Sequence, residues 1–283
     1  MRCPICQGTL TPSHTDTYTC TAGHTYTADD NGVLVLMTPA LLAHVAAIEL
    51  HRAQAVTHLP TITDYNALPC ALADQHFEWR LRCAEVRWLQ AQLQTRKPGS
   101  LLEIGAWNGW LTHHLAQWGY SVTAIDYTAH PHDGLGARTR YDGRTWQAIQ
   151  MNVADLRVLD SRYDVVVVNH GLHLFPDPVG YIAHIIAERL APGGVLVMLG
   201  LTFFRDASMR RAQVAALAQT FEAAHGVPFF FHPTRAYLDF EDKARLQELG
   251  LNVMAHPAMR RANLKARVRP AAPAYFLGRY VKA

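Results

Sequence analysis

The chain has 283 residues, 49% hydrophobic and 17% charged, the composition of a folded globular protein holding one large domain with an appendage or two modest ones. No apolar run approaches the roughly 18 residues that cross a bilayer, no apolar signal core follows the N-terminal Met-Arg-Cys-Pro, and five cysteines, three inside the first 20 residues, do not make a disulfide framework, so a cytoplasmic protein without a membrane partner is expected. The net charge of +3 hides an asymmetry: seven basic residues and no acid follow from Arg260 onward, leaving 19 basic against 23 acidic residues on the rest of the chain.

Residues 1–37 are Thr-rich and read as short strands. "CPIC" at 3–6 and "CTAGH" at 20–24 supply two ligand pairs from tight turns, so Cys3, Cys6, Cys20 and His24 form a closed set for one Zn2+. His24 is the least secure of the four, because Cys-x2-Cys with Cys-x3-His departs from the double knuckle. A segment this short buries too little core to stand alone, which favours a metal staple. Its single basic residue, Arg2, faces three acids, so the module is read as structural or as a docking surface for a protein partner rather than as a phosphate binder.

Residues 38–98 read as a helical linker or cap. "PALLAHVAAIELHRAQAV" opens on Thr38-Pro39, an N-cap and first-turn pair. "HFEWRLRCAEVRWLQAQL" places Phe77, Leu81, Val86, Leu89 and Leu93 near helical spacing. Trp79 and Trp88 are expected in the core, and Cys70 and Cys83 are expected to lie without partners.

From residue 99 to 283 the rhythm is strand, helix, strand. Strands are predicted at 101–105, 121–126, 146–150, 164–169 and 194–199, with helices at 109–118 and 178–190. A helix near 206–225, another near 240–249, and strands near 251–255 and 273–281 complete the chain. Near-continuous apolar strands alternating with helices predict an α/β fold, a Rossmann-like parallel sheet covered on both faces. The basic C-terminal stretch is expected to form a solvated hairpin.

"LLEIGAWNGW" at 101–110 ends a strand in Glu103 and Gly105 and enters a helix through Gly109. Glycines there let the backbone bend tightly and approach a ligand. Twenty-one residues after Gly105 the next strand ends in Asp126, placed to accept both hydroxyls of a ribose. Glu-x-Gly-x-x-x-Gly is not the dinucleotide fingerprint. It resembles motif I of class I S-adenosylmethionine-dependent methyltransferases, and "MNVADL", "YDVVVVNHGLH" and "LAPGGVLVML" follow at that family's spacing. The N-terminal module resembles the zinc ribbons fused to many bacterial methyltransferases, including ribosomal RNA guanine-N1 enzymes.

The resemblance implies S-adenosyl-L-methionine as cofactor. Glu103 and Gly105 would line its amino-acid end, with Trp107, Asn108 and Gly109 nearby. Asp126 would hold the ribose, Tyr127 would pack on the adenine, and Asn152 and Val153 would meet the adenine edge. Asn169 would sit below the sulfur. Asn152 stands where the family more often has Asp, which leaves Asp155 competing for that role, and Trp107 stands at a frequent Gly position.

His170 and His173 follow the fourth strand, where the methyl group should point, and are candidate proton acceptors. His113 and His114 are expected at the surface. His130 and His132 lie in a loop that could wall the pocket, and Arg205, Arg235 and Tyr237 suit an acidic acceptor or a salt-bridged loop equally. The leading reading is methyl transfer to an oxygen or nitrogen of a small or medium-sized metabolite. A second makes ribosomal or transfer RNA the acceptor through the zinc module and basic C-terminus. A third is a non-catalytic scaffold of the same fold, against which the intact Glu103, Asp126 and glycine set argues.

Overall fold

In the computed structural model, which describes residues 1–55 and 59–283, the N-terminus and the α/β region form two sheets. The strands β1 (Leu10–His14), β2 (Thr17–Cys20) and β3 (Thr25–Thr27) make a small antiparallel sheet. Its inner residues Cys3, Leu10, Cys20 and Tyr26 share a core with one face of the main sheet. The amino group of Met1 and the guanidinium of Arg2 both grip Asp160, at 3.0 and 2.7 Å. The strand β4 (Val33–Leu36) then leaves this module and joins the edge of the main sheet, parallel to the strand Gln147–Met151.

Helix α1 (Pro39–Ala55) starts where Thr38-Pro39 predicts, with Thr38 Oγ1 accepting the Leu41 N–H; the last residue of its apolar run, Val56, lies outside the described residues. Helix α2 (Phe77–Leu93) follows a looped segment that packs over the next helix. Cys70 and Cys83 are not unpartnered: they form a disulfide between the turn Cys70–Leu72 and α2. The fold of that segment back onto the helix brings their Cα atoms to 4.9 Å, within bridging range.

The remaining elements are β5 (Ser100–Ile104), α3 (Trp110–Gln117), β6 (Ser121–Asp126), β7 (Gln147–Met151), β8 (Tyr163–Asn169), α4 (Pro178–His184), β9 (Leu190–Phe204), α5 (Ser208–His225), β10 (Leu238–Asp239), α6 (Phe240–Glu248), β11 (Asn252–Ala255), α7 (Arg260–Val268) and β12 (Ala274–Val281). The sheet order is β11-β12-β9-β8-β5-β6-β7-β4, with β10 also beside β9. In this sheet β12 runs antiparallel to both its neighbours, β11 and β9, and the other described pairings are parallel. The predicted helix 178–190 runs to Arg189, its end Ile185–Arg189 being a π turn, and β9 is longer than expected because it pairs with β8, β12 and β10.

The period-2 alternation of strands explains the two cores. In β8, Val165 and Val167 face the layer of α2 and α3, whereas Val166 and Val168 face the layer of α4 and α6. Both faces are covered, which is why "DVVVV" carries no polar residue after its first. The basic C-terminal stretch is not a hairpin: most of its cations ride on α7, whose Leu264 and Val268 are exposed.

Candidate functional site

Strand order reverses between β5 and β8, and in open α/β sheets ligands bind beyond the carboxyl ends at such a switch point. Gly105 and Asn169 meet there. Gly105 holds φ +78°, and a Cβ on it would stand 2.9 Å from the Asn169 carbonyl oxygen, so no other residue seats this turn without strain. Behind Asn169 lies Glu103, fully buried, accepting hydrogen bonds from Thr112 Oγ1 at 2.6 Å and Asn169 Nδ2 at 3.0 Å. Burial pushes its carboxyl up to about 8, against those two donors. Glu103 therefore sits one layer behind the crevice wall. Asn169 lines the crevice, and its Oδ1 is buried with no hydrogen-bond partner among the described residues.

Asp126, at the end of β6, borders the same crevice. Its Oδ2 accepts the Trp107 N–H at 2.8 Å, and its Oδ1 accepts the Thr128 N–H at 3.1 Å. Burial raises its pKa against those bonds. Trp107, at φ +50°, donates its indole N–H to Asp133 at 2.5 Å and stacks on Trp79, ring centroids 5.3 Å apart. Arg82 lies over both indoles, and Arg52 of α1 clasps Asp133 through two bonds of 2.6 and 2.7 Å. Trp79 is thus both core and cavity wall. Asn108 and Gly109 do not line the crevice. Asn108 is buried with its Oδ1 toward the Trp110 N–H, and Gly109 packs against Trp146.

On the other flank, Tyr127 stacks on Phe231 at 4.2 Å and donates its hydroxyl proton to Asn152 Oδ1 at 2.7 Å. Tyr127 and Val153 face the cavity; Asn152 stands behind Tyr127. Asp155 is turned away, paired with Arg157 at 2.7 Å and capping the short turn Leu156–Val158.

The crevice and the space beside it form one cavity of about 870 Å³, within the usual size for small-molecule sites. Residues of α1, α2, α5 and the Phe229–Phe230–Phe231 run roof it. His170 and His173 both line it. Burial, aided by the Arg210 cation, pushes His173 down to about 4. His170, at φ +60°, directs Nε2 to Glu85 at 2.5 Å. Glu85 and the Phe229–Phe231 run are absent from the sequence-predicted set. The signal for Glu85 was an acid on the apolar stripe of α2, between Leu81 and Leu89.

Several other candidates fall elsewhere. His113 is buried against Tyr141 at 5.0 Å and His114 bonds the Leu68 carbonyl, so neither is a free surface residue; the segment before α2 covers α3. His130 accepts backbone N–H groups of His132 and Asp133, and neither histidine lines the cavity. Arg235 is held by Asp239 and Asp242, the salt-bridged loop. Arg205 covers the ring of Phe240.

In the N-terminal module the donor atoms of Cys3, Cys6, Cys20 and His24 all lie within 4.8 Å of one another. Cys6 Sγ is 3.6 Å from Cys20 Sγ, and His24 Nδ1 is 3.4 and 3.5 Å from Cys20 and Cys3 Sγ. A zinc tetrahedron with bonds of about 2.0–2.3 Å has edges of roughly 3.5–3.8 Å, so the donor set fits that ion. The N–H groups of Ile5 and Cys6 point at Cys3 Sγ, and Tyr26 reaches it at 3.1 Å. Burial would push the Cys3 thiol up, but Tyr26 and these amides hold it at about 6.

The strand order, the antiparallel β12 and a crevice at the β5/β8 switch define a class I S-adenosylmethionine-dependent methyltransferase fold. A family model described as "Methyltransferase domain" matches residues 74–253, and the chain belongs to that family. It is an S-adenosylmethionine-dependent methyltransferase. A comparison with curated proteins gives no match. Among solved structures it is similar to geranyl diphosphate methyltransferase with GPP and sinefungin (15% identity, TM-score 0.49, covering 72% of this chain and 79% of that one). It is also similar to Haemonchus contortus phosphoethanolamine N-methyltransferase 2 (12%, TM-score 0.48, 70% of this chain), of which it spans about half, 52%. The plantazolicin methyltransferase BpumL aligns at 14% identity and TM-score 0.46, over 86% of this chain and 95% of its own. Among the described residues no helix is long and apolar enough to cross a membrane.

Proposed function

We propose that the chain methylates an oxygen or nitrogen of a small or medium-sized metabolite, bound in the roofed cavity beside His170 and His173. The observation that carries this is the roof: α1, α2, α5 and Phe229–Phe231 wall an aromatic space at the end of β8, part of one cavity of about 870 Å³ that also takes in the cofactor crevice. Such a space suits a compact, largely apolar acceptor. S-adenosylmethionine supplies an electrophilic methyl group on a sulfonium. Asp126 holds its ribose, Tyr127 and Val153 flank its adenine, and the unpartnered Asn169 Oδ1, backed by Glu103, faces its amino-acid end. In-line transfer asks the protein mainly to position both partners and to accept a proton. His170 suits that role better than His173, whose pKa near 4 makes it a weak base at neutral pH. The zinc module docks on the main body through Asp160 and serves as a structural staple.

Asp126→Ala is expected to weaken S-adenosylmethionine binding by about tenfold to a hundredfold, the worth of hydrogen bonds to a charged acceptor. Calorimetry giving equal affinity for variant and wild type removes Asp126 from the site. The acceptor assignment is tested separately. Salt-dependent binding of ribosomal RNA fragments, lost when Arg260, Arg261, Lys265 and Arg267 become Ala, would overturn it in favour of RNA.

A further inference from the structure

A buried carboxylate with imidazoles on two sides lies directly behind the cavity wall. Glu85, on α2, is fully buried. Its Oε2 meets His170 Nε2 at 2.5 Å, and its Oε1 accepts the Gly200 N–H at 2.9 Å. His256, after β11, is 1% exposed and stands with Nε2 at 3.9 Å from Oε1. The His256 Nδ1 accepts the Ala258 N–H at 3.2 Å, so the proton of that ring is on Nε2 and faces Glu85. Gly200, at φ +65°, forms the floor beneath the His170 ring: a Cβ there would stand 2.3 Å from Nδ1. Burying a carboxylate is costly unless it is paired, and here two donors from separate elements, the His170 ring and the Gly200 amide, converge on it, with the His256 ring facing it beyond hydrogen-bond reach.

We propose that Glu85 is a positioning residue that fixes His170 as its Nε2–H tautomer, leaving Nδ1 as the basic nitrogen toward the acceptor, with His256 and the Gly200 amide holding Glu85 in place. This rests on the reading that the acceptor lies beside His170. As the acceptor atom forms its bond to the methyl carbon, the carbon–sulfur pair returns to sulfur, and the acceptor's proton passes to Nδ1. The resulting imidazolium faces the Glu85 carboxylate, which stabilises it. Without that anchor the ring is free to take the opposite tautomer, with no lone pair on Nδ1. The same helix also carries Trp79 and Arg82, which hold Trp107 independently of Glu85. The charged and titratable groups around this ring are Glu85 from α2, His256 from beyond β11, His173 on its own loop, and Arg210 of α5 beyond His173.

The test needs no acceptor. Imidazole 15N shifts of His170 are recorded at pH 8 on the full chain saturated with S-adenosylhomocysteine. The expected result is a single Nε2–H tautomer in wild type and a tautomer ratio lowered by about tenfold or more in Glu85→Gln, the scale of losing a charged hydrogen-bond partner. His256→Asn is expected to lower the ratio less. Affinity for S-adenosylhomocysteine should stay within about threefold of wild type, because neither residue lines the cofactor crevice. A wild-type Nδ1–H tautomer or imidazolium overturns the proposal even if Glu85→Gln fails to fold. An unchanged ratio in a folded Glu85→Gln that binds S-adenosylhomocysteine overturns it equally. Loss of S-adenosylhomocysteine binding by the wild-type chain would instead refute the cofactor-site reading.

Discussion

Chelating the metal, or replacing Cys20 by Ser, is expected to unfold β1–β3 while the nine-stranded sheet stays intact. The reason lies in the small core of the module. Of its buried residues Cys3, Leu10, Cys20 and Tyr26, two belong to the candidate ligand set, so a metal bound there would hold much of the module's own interior together. Apolar burial by Leu10 and Tyr26 is worth roughly 1.5–3 kcal/mol per side chain. Structural zinc in comparable small modules supplies an apparent 10–16 kcal/mol or about that near pH 7. The metal term wins by a wide margin. Metal analysis should give one zinc per chain, and X-ray absorption should place sulfur and nitrogen ligands at about 2.0–2.3 Å. Amide exchange after chelation should rise through residues 1–28 and remain slow in β5 and β8. A protein prepared without chelators that contains no zinc, or a module that keeps its protection after chelation, defeats the assignment.

The fold was legible because its strands are buried on both faces. "LLEI", "VTAID" and "VVVV" have no polar face to misplace, so their apolar runs locate the parallel sheet within a residue or two. Gly105 and Asp126 were legible for a related reason: a turn that forbids Cβ and a carboxylate ending a strand leave marks in the sequence. The roof was not legible. Arg52 and Asp133 meet across the fold, as do Glu85 and His256, and no local spacing encodes either pair. The disulfide escaped because Cys70 and Cys83 come together only when the segment before α2 folds back on the helix. His113 and His114 look like surface residues on α3 taken alone, but Tyr141 covers the first and that same segment, through the Leu68 carbonyl, holds the second. Asn108 and Glu103 show the converse. Motif position places them at the cofactor, yet packing sets them behind the crevice wall.

Glu103→Gln is expected to flatten the pH dependence of stability between about 4.5 and 8. The folded protein raises this carboxyl from 4.5 to about 8, first through burial. A raised carboxyl pKa means the folded state keeps its proton longer than the unfolded chain. Its contribution is therefore full below pH 4.5, falls as pH rises through the window, and stays lost above pH 8. At about 1.4 kcal/mol per unit the change is on the order of a few kcal/mol. Gln keeps the shape and can still bond Thr112 and Asn169, but it does not titrate. Urea unfolding of the cofactor-free protein at pH 5, 6, 7 and 8 should show wild type losing that much more stability than the variant; parallel curves would remove Glu103 as the source. The same residue links folding to cofactor chemistry. A cationic amino group brought against Asn169 favours the charged form of Glu103, so S-adenosylmethionine binding at pH 7 should release a proton. Binding enthalpies measured in buffers of different ionisation enthalpy should differ for wild type and coincide for Glu103→Gln, and enthalpies that vary equally in both proteins would place the proton elsewhere.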